Sequence, residues 1–351
     1  MKTKFASYCE NGIAEGCKYC VKGEKLVLFI GGRCSRNCWY CSLSKNRKNS
    51  EVIYANERPC KNVKDLIDEA KISNAKGAGV TGGDPLVYFD RTMKFCRALK
   101  KEFGKKFHIH VYLPPQLVEK NKIKELAKWI DEFRFHPSFL TIKNEELKRK
   151  EVDKIKMVSE TIGKKRCGLE IPSIPENKRE ILSFILSVKD SISFVNLNEF
   201  EISETNFDRI TKNYKMNKDS YTIHNSIKAG KWIIRKLKKT NLKAHVCTAQ
   251  TKDGFQYINR LKRYNILPYG NKTEDGNVVY FSIYYDKNLV KTEGEIKKIT
   301  KNYFVDKNHK RIIVNMDEVE KIYEKTKLEI FRVEEPPTYK AEYLEKSKIG
   351  E

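Results

Sequence analysis

Two periods of hydrophobic and polar positions alternate along the chain. Short runs rich in β-branched and aromatic residues read as buried strands: Lys25–Ile30, Ala78–Thr81, Phe107–Leu113, Glu132–Phe135, Cys167–Ile171, Ser193–Leu197 and Leu242–Val246. Between them lie stretches with helical spacing, at Val63–Ala75, Arg91–Phe103, Leu117–Ile130, Glu145–Ile162 and Lys178–Val188. A long helix over Tyr221–Lys239 and another over Phe255–Tyr264 complete the series. Repeated strand–helix units predict a parallel sheet, and so many in a row predict an α/β fold of partial or full βα-barrel type. In such a barrel the chemistry sits at the C-terminal ends of the strands.

The pattern breaks at Leu267-Pro268-Tyr269-Gly270. Beyond it, strands are expected at Val278–Tyr285, Arg311–Val314 and Leu328–Val333, with a helix over Asp317–Thr326. The expected organisation is a Cys-rich N-terminal extension (1–24), a barrel (25–265) and a small C-terminal α+β domain (266–351).

Composition narrows the function classes. The chain has 351 residues, 40% of them hydrophobic, enough for a substantial core. No apolar run approaches the roughly 18 residues that cross a bilayer. The first ten residues have no signal-peptide pattern, so a cytoplasmic protein without a membrane partner is expected. Ten cysteines are too sparse for a disulfide scaffold, and their clustering points to metal or redox chemistry. The net charge is +24, and residues 209–263 alone hold 15 basic and 2 acidic side chains. Tyr214, Tyr221, Trp232, Phe255, Tyr257 and Tyr264 interleave with these cations, a pattern that suits tRNA or another RNA. The alternative is an amphipathic helix whose Ile223, Ile227, Trp232, Ile233 and Leu237 face a core while the lysines face water.

The sharpest motif is Cys34-Ser-Arg-Asn-Cys38-Trp-Tyr-Cys41, which follows the first barrel strand through Gly31, Gly32 and Arg33. Three thiolates at this spacing can hold three irons of a [4Fe–4S] cube and leave the fourth open to a chelating amino acid. A zinc knuckle is the competing reading, although structural zinc takes four protein ligands. After the next strand comes Thr81-Gly82-Gly83-Asp84-Pro85, two glycines that admit a ligand to the backbone and an acidic acceptor for an ammonium group.

Together these motifs resemble the radical S-adenosylmethionine (SAM) superfamily over residues 22–250. Cys34, Cys38 and Cys41 match its cluster loop, with the aromatic Tyr40 before the last cysteine. Gly82, Gly83 and Asp84 match its Gly-Gly-Glu stretch, with Asp one methylene shorter. Lys25–Phe29, Thr81–Leu86, Phe107–His110, Asn196–Glu199 and Asn259–Arg263 are similar to an archaeal group related to pyruvate formate-lyase activating enzymes. The resemblance implies reductive cleavage of SAM at a [4Fe–4S] cluster and hydrogen abstraction by a 5′-deoxyadenosyl radical. It also implies an external electron donor of ferredoxin or flavodoxin type. Three substrate readings follow: an RNA-modifying enzyme, a protein- or peptide-modifying enzyme of activating type, and a non-catalytic zinc-binding RNA protein.

Further candidates remain. Cys9, Cys17 and Cys20, with Cys247 as fourth ligand and His245 as its substitute, could form an auxiliary Fe–S or zinc site. A free Cys247 could instead be catalytic, carrying a methyl group or a thiyl radical as in some members of the superfamily. Strand alternation puts His108, His110 and Tyr112 on one face, and His110 is a candidate cofactor contact with Tyr40. His136, Glu170, Asn196, Asn198, Glu199 and Glu201 lie at later strand ends. Cys60, Cys96 and Cys167 read as ordinary packing residues.

Overall fold

The computed structural model describes residues 1–218, 220–285 and 288–350. It separates into two compact units, one of residues 1–71 and 75–257, the other of 72–74 and 258 onward.

The first unit is built on a ten-stranded sheet. Its strands are β1 (Tyr8–Glu10), β2 (Lys25–Phe29), β3 (Tyr54–Ala55), β4 (Arg58–Pro59), β5 (Gly77–Thr81), β6 (His108–Leu113), β7 (Glu132–Phe135), β8 (Cys167–Ser173), β9 (Phe194–Glu199) and β10 (Lys243–Cys247). Seven of them run parallel in the order β2-β5-β6-β7-β8-β9-β10. The sheet does not close: β1 pairs antiparallel with β10 at one end, and the β3–β4 hairpin flanks β2 at the other. This is a partial barrel. Its helices are α1 (Glu15–Val21), α2 (Val63–Ile72, whose last residue is counted with the second unit), α3 (Phe89–Phe103), α4 (Lys120–Leu126), α5 (Glu145–Ile162), α6 (Lys178–Val188), α7 (Phe207–Thr211), α8 (Ser226–Lys236) and the single turn α9 (Ala249–Thr251).

Strand alternation sorts the side chains. On β6, Ile109, Val111 and Leu113 join the hydrophobic core, whereas His110 and Tyr112 line the barrel cavity. On β7, Phe133 and Phe135 pack in that core while Glu132 and Arg134 turn the other way and bond each other. Each Leu, Ile or Phe fully buried this way stabilises the fold by roughly 1.5–3 kcal/mol.

Two sequence expectations change. The helix expected over Tyr221–Lys239 is only Ser226–Lys236. Residues 221–223 are extended instead, because their backbone pairs with 200–202: Ile202 N–H donates to Tyr221 O (2.7 Å) and Ile223 N–H to Phe200 O (2.9 Å). At the other end, the Asn11 side-chain amide donates to the carbonyls of Lys238, Thr240 and Leu242. The helix expected over Phe255–Tyr264 begins as a π-helical turn, Lys252–Tyr257, and continues as α10 (Ile258–Arg263). The division between the compact units falls at 257/258, ahead of the pattern break near 266.

The second unit is an antiparallel sheet with helices. β11 (Asn271–Lys272), β12 (Val278–Tyr284), β13 (Tyr303–Asp306), β14 (Arg311–Val314), β15 (Phe331–Glu335) and β16 (Glu345–Lys348) are ordered β13-β14-β12-β15-β16, with β11 on β12. α11 (Leu289–Lys297) and α12 (Val319–Lys325) supply Ile296, Val319 and Ile322 to its core. Arg311 is fully buried but bonded to Asp306 (3.0 Å) and to both oxygens of Glu335 (2.8 and 2.6 Å).

Candidate active site

The cysteine loop and the Gly82–Asp84 turn are the two connections that leave neighbouring strands β2 and β5, and backbone bonds lace them together. Gly83 N–H donates to Gly31 O and Asp84 N–H to Arg33 O, both at 2.9 Å. Contact this close requires glycine. Gly82 has φ +141°, and a Cβ there would lie 2.4 Å from Gly31 O; one on Gly83 would lie 2.0 Å from Arg33 O. Within the loop, Cys41 N–H turns back to Cys38 O (3.1 Å).

Both segments border a cavity of about 920 Å³. Cys34, Cys38, Cys41, Gly82 and Gly83 line one part of it; Cys20, Lys25, His110, Tyr112 and Glu170 line the barrel interior. Asn198, Glu199, Glu201, Lys252 and Gln256 complete the side formed by β9 and the π-helical turn.

Tyr40 is buried, and its hydroxyl lies 3.0 Å from His136 Nε2. His136 Nδ1 lies 2.8 Å from Glu170 O. A carbonyl can only accept, so Nδ1 carries the proton and Nε2 accepts from Tyr40. Burial, helped by Arg36, holds His136 down at about 3, so the imidazole is neutral. Arg36, on the cysteine loop, donates one Nη2–H to His136 O, while its buried Nε and Nη1 have no partner. Arg36 also lines the cavity, so its guanidinium places positive charge beside a ligand there.

Asp84 departs from expectation. It is fully buried and does not line the cavity. Its Oδ2 accepts from Ser35 Oγ (2.7 Å) and its Oδ1 from Leu86 N–H (2.9 Å). Burial raises its carboxyl above the ordinary range. The carboxylate is engaged by the protein's own loop, and the cavity face of this turn consists of Gly82 and Gly83.

The auxiliary set also departs. Cys9, Cys17, Cys20 and Cys247 form no single-ion site, since among the described residues no three His, Cys, Asp or Glu side chains are placed to share one metal ion. β1 puts Cys9 in register with His245. α1 packs against the barrel interior, where Gly16 N–H donates to Glu132 Oε2 (3.0 Å) and Tyr19 stacks on His108. The Cys17 sulfur accepts from Arg134 Nη2 at 3.4 Å. Cys20 lines the cavity among charged neighbours Arg134, Lys25, Glu132 and Glu170. Cys247 is buried, accepts from Gln256 Nε2 (3.5 Å), and is pushed up to about 12 by burial. Cys60, Cys96 and Cys167 pack in the hydrophobic core.

The interior network was not foreseen. Arg134 bonds Glu132 (2.7 Å from Nε) and Glu170 (2.9 Å from Nη1). Glu170 Oε1 also accepts from Asn196 (2.5 Å) and Asn198 (2.8 Å), and His245 Nδ1 donates to Asn196 Oδ1 (2.5 Å). Despite burial, Arg134 holds Glu132 below the usual carboxylate range. His110 Nε2 contacts Tyr112 Oη (3.1 Å), and its buried Nδ1 is without a partner. Lys25 Nζ sits 2.7 Å from His108 Nδ1, and burial lowers it to about 7. The alternation Glu-Phe-Arg-Phe over 132–135 was the available signal for Glu132 and Arg134; Lys252 and Gln256 had none, since a π-helical turn brings them to the cavity.

The three loop cysteines fit a [4Fe–4S] cluster. A cube takes one thiolate on each of three irons, so its ligands stand farther apart than those of a single ion. The loop offers three thiols at one part of the cavity, beside a glycine cradle open to a ligand and an Arg36 guanidinium with unpaired donors.

Comparison with known proteins agrees with this chemistry. The family model described as "Radical SAM superfamily" matches residues 28–188. A protein of Methanocaldococcus jannaschii, named "Putative glycyl-radical enzyme activating enzyme MJ0021", is 39% identical over 332 residues, covering 92% of this chain and 87% of that protein. Two solved structures of the radical S-adenosylmethionine methyltransferase TsrM from Kitasatospora setae are also similar. One, with tryptophan substrate and a SAM analog, has a TM-score of 0.38 at 10% identity, covering 74% of this chain and 56% of that one. The other, with cobalamin and a [4Fe–4S] cluster, has a TM-score of 0.35 at 12% identity, covering 55% of this chain and 38% of that one. TM-scores this low carry no argument about function.

Proposed function

Since this chain belongs to the radical SAM superfamily, we propose that it is an activating-type enzyme that abstracts hydrogen from a polypeptide. It is an enzyme that uses a [4Fe–4S] cluster and SAM. When bound, the reduced cluster would supply one electron to SAM, whose C–S bond would break to give methionine and a 5′-deoxyadenosyl radical. In this reading Cys34, Cys38 and Cys41 hold the cluster. Gly82 and Gly83 offer backbone to the SAM amino group, and the Arg36 guanidinium offers positive charge to its carboxylate. The neutral His136 keeps Tyr40 in place behind the loop, and His110 faces the ligand from β6.

One observation supports the substrate choice: Glu199 and Glu201 border the cavity at and just past the end of β9, Glu201 paired with Lys252. Carboxylate oxygens there can accept from peptide N–H groups. The name of the M. jannaschii relative points to the same class. The aromatics of 209–263 add little to the RNA reading, because most are engaged within the protein. Tyr214 stacks on Trp39, Tyr221 donates to Asp253, Phe255 meets Phe5 edge-on and Tyr264 is buried.

The test is anaerobic incubation of reduced, reconstituted enzyme and SAM with deuterated cell extract, split into protein and RNA fractions. Deuterium should enter 5′-deoxyadenosine from the protein fraction, and a carbon-centred radical should appear on a polypeptide. Transfer that comes from the RNA fraction and is abolished by ribonuclease would overturn the proposal.

A further inference from the structure

A second cavity, of about 620 Å³, backs onto the cysteine loop and is lined by Asn37, Trp39, Thr141, Glu176, Arg209, Asn213 and Tyr214. Asn37 borders both cavities. Trp39, between Cys38 and Tyr40, stacks on Tyr214 (5.9 Å between centroids, 10° between planes) and meets Tyr40 edge-on at 5.3 Å. Its indole N–H donates to Leu140 O (3.0 Å), which fixes the ring. A rigid aromatic group thus connects the second cavity to the residues that hold the three cysteines.

Cations exceed carboxylates on the segment that lines the second cavity. Arg209 lines the cavity with Glu176; Lys212 and Lys215 flank its Asn213 and Tyr214 in sequence and, like Lys218, are exposed, against the exposed Asp208, and Phe207 and Met216 of the same segment expose apolar surface. This is the first part of the basic stretch that the active site leaves unexplained. A net cationic segment beside a partly apolar aromatic floor fits an acidic protein docking by its charged edge.

We propose that this cavity and its rim are the docking site of the electron donor, an acidic redox protein whose cofactor comes to rest against the Trp39–Tyr214 face. One electron leaves the reduced carrier and enters the cluster, and no bond is made or broken. The proposal rests on the radical SAM assignment, and the experiment separates the two.

The variant Arg209→Glu/Lys212→Glu/Lys215→Glu is compared with the parent in initial rate of 5′-deoxyadenosine formation. One arm is driven by a purified flavodoxin with its reductase, the other by dithionite. At low ionic strength the flavodoxin-driven rate should fall about tenfold or more in the variant. The gap should shrink as salt screens the rim, while the dithionite-driven rate stays at the parental level. Lys212→Glu/Lys215→Glu, which leaves the cavity lining intact, should show the same pattern at smaller size. Equal flavodoxin-driven rates in parent and variants overturn the proposal. So does an equal loss with both reductants in the double variant, or loss of tRNA retention on filters with the flavodoxin-driven rate kept, which gives the patch to RNA. No dithionite-driven product in the parent contradicts the activity, and the proposal with it.

Discussion

The Ser35 hydroxyl donates to Asp84 Oδ2 across 2.7 Å, and this contact ties the cysteine loop to the glycine turn. Ser35 directly follows the first cysteine of the loop, and Asp84 directly follows the two glycines of the turn. The bond therefore sets the position of one half of the site relative to the other. Replacing Asp84 with Ala removes the acceptor for Ser35 and for Leu86 N–H and should cost on the order of 1–3 kcal/mol. Iron content after reconstitution and 5′-deoxyadenosine formation should fall together. Ser35→Ala should reproduce the effect weakly. If Asp84 instead bound the SAM ammonium, Asp84→Asn would raise the KM for SAM and leave iron content unchanged; steady-state kinetics beside iron analysis distinguishes the two.

Arg36 has the opposite profile. Its Nε and Nη1 have no protein partner, and truncation costs the protein its Nη2 bond to His136 O. Arg36→Gln should keep the cluster but raise the KM for SAM about tenfold or more, the scale of one lost charge-assisted contact. Equilibrium binding of SAM to the oxidised, reconstituted protein checks this without turnover.

The Arg134 network is structural. A guanidinium 1% exposed and bonded to two carboxylates leaves both uncompensated when it is removed. Arg134→Met should destabilise the protein by about 3–5 kcal/mol, measured by urea unfolding. Arg134→Met/Glu170→Gln should recover part of that loss.

His245 predicts an acid limit. Burial, with Arg134 nearby, lowers its folded value to about 4 from an ordinary 6.5. Between those values the unfolded chain binds the extra proton, so stability falls as pH drops from about 6.5 towards 4. The full effect is on the order of 3 kcal/mol. His245→Gln should lessen the dependence of Tm on pH across this window, seen by calorimetry of the metal-free chain, while His108, His110 and His136, lowered in the same direction, keep the remainder.

The parts of the fold that could be read in the sequence are those where local pattern and tertiary role agree. Helices Glu145–Ile162 and Lys178–Val188 appear with the expected limits because an apolar stripe alone determines them. Residues 221–223 have the spacing of a helix, yet pair with 200–202, through long-range hydrogen bonds that no local period reports. The same holds at the site. Cys34, Cys38, Cys41, Gly82 and Gly83 could be found because the chain presents them consecutively, and they share a cavity. Asp84 was assigned by its place in the motif, but its partner Ser35 lies 49 positions away. Cys17 looked like a metal ligand because its spacing to Cys20 is local, whereas the Arg134 that contacts it comes from β7.

The most direct test of the account is electron paramagnetic resonance of the anaerobically reconstituted, dithionite-reduced protein with and without SAM. The account predicts a [4Fe–4S] signal that changes on adding SAM and is absent from the variant Cys34→Ala/Cys38→Ala/Cys41→Ala. A signal indifferent to SAM, or one that survives in the triple variant, would contradict it.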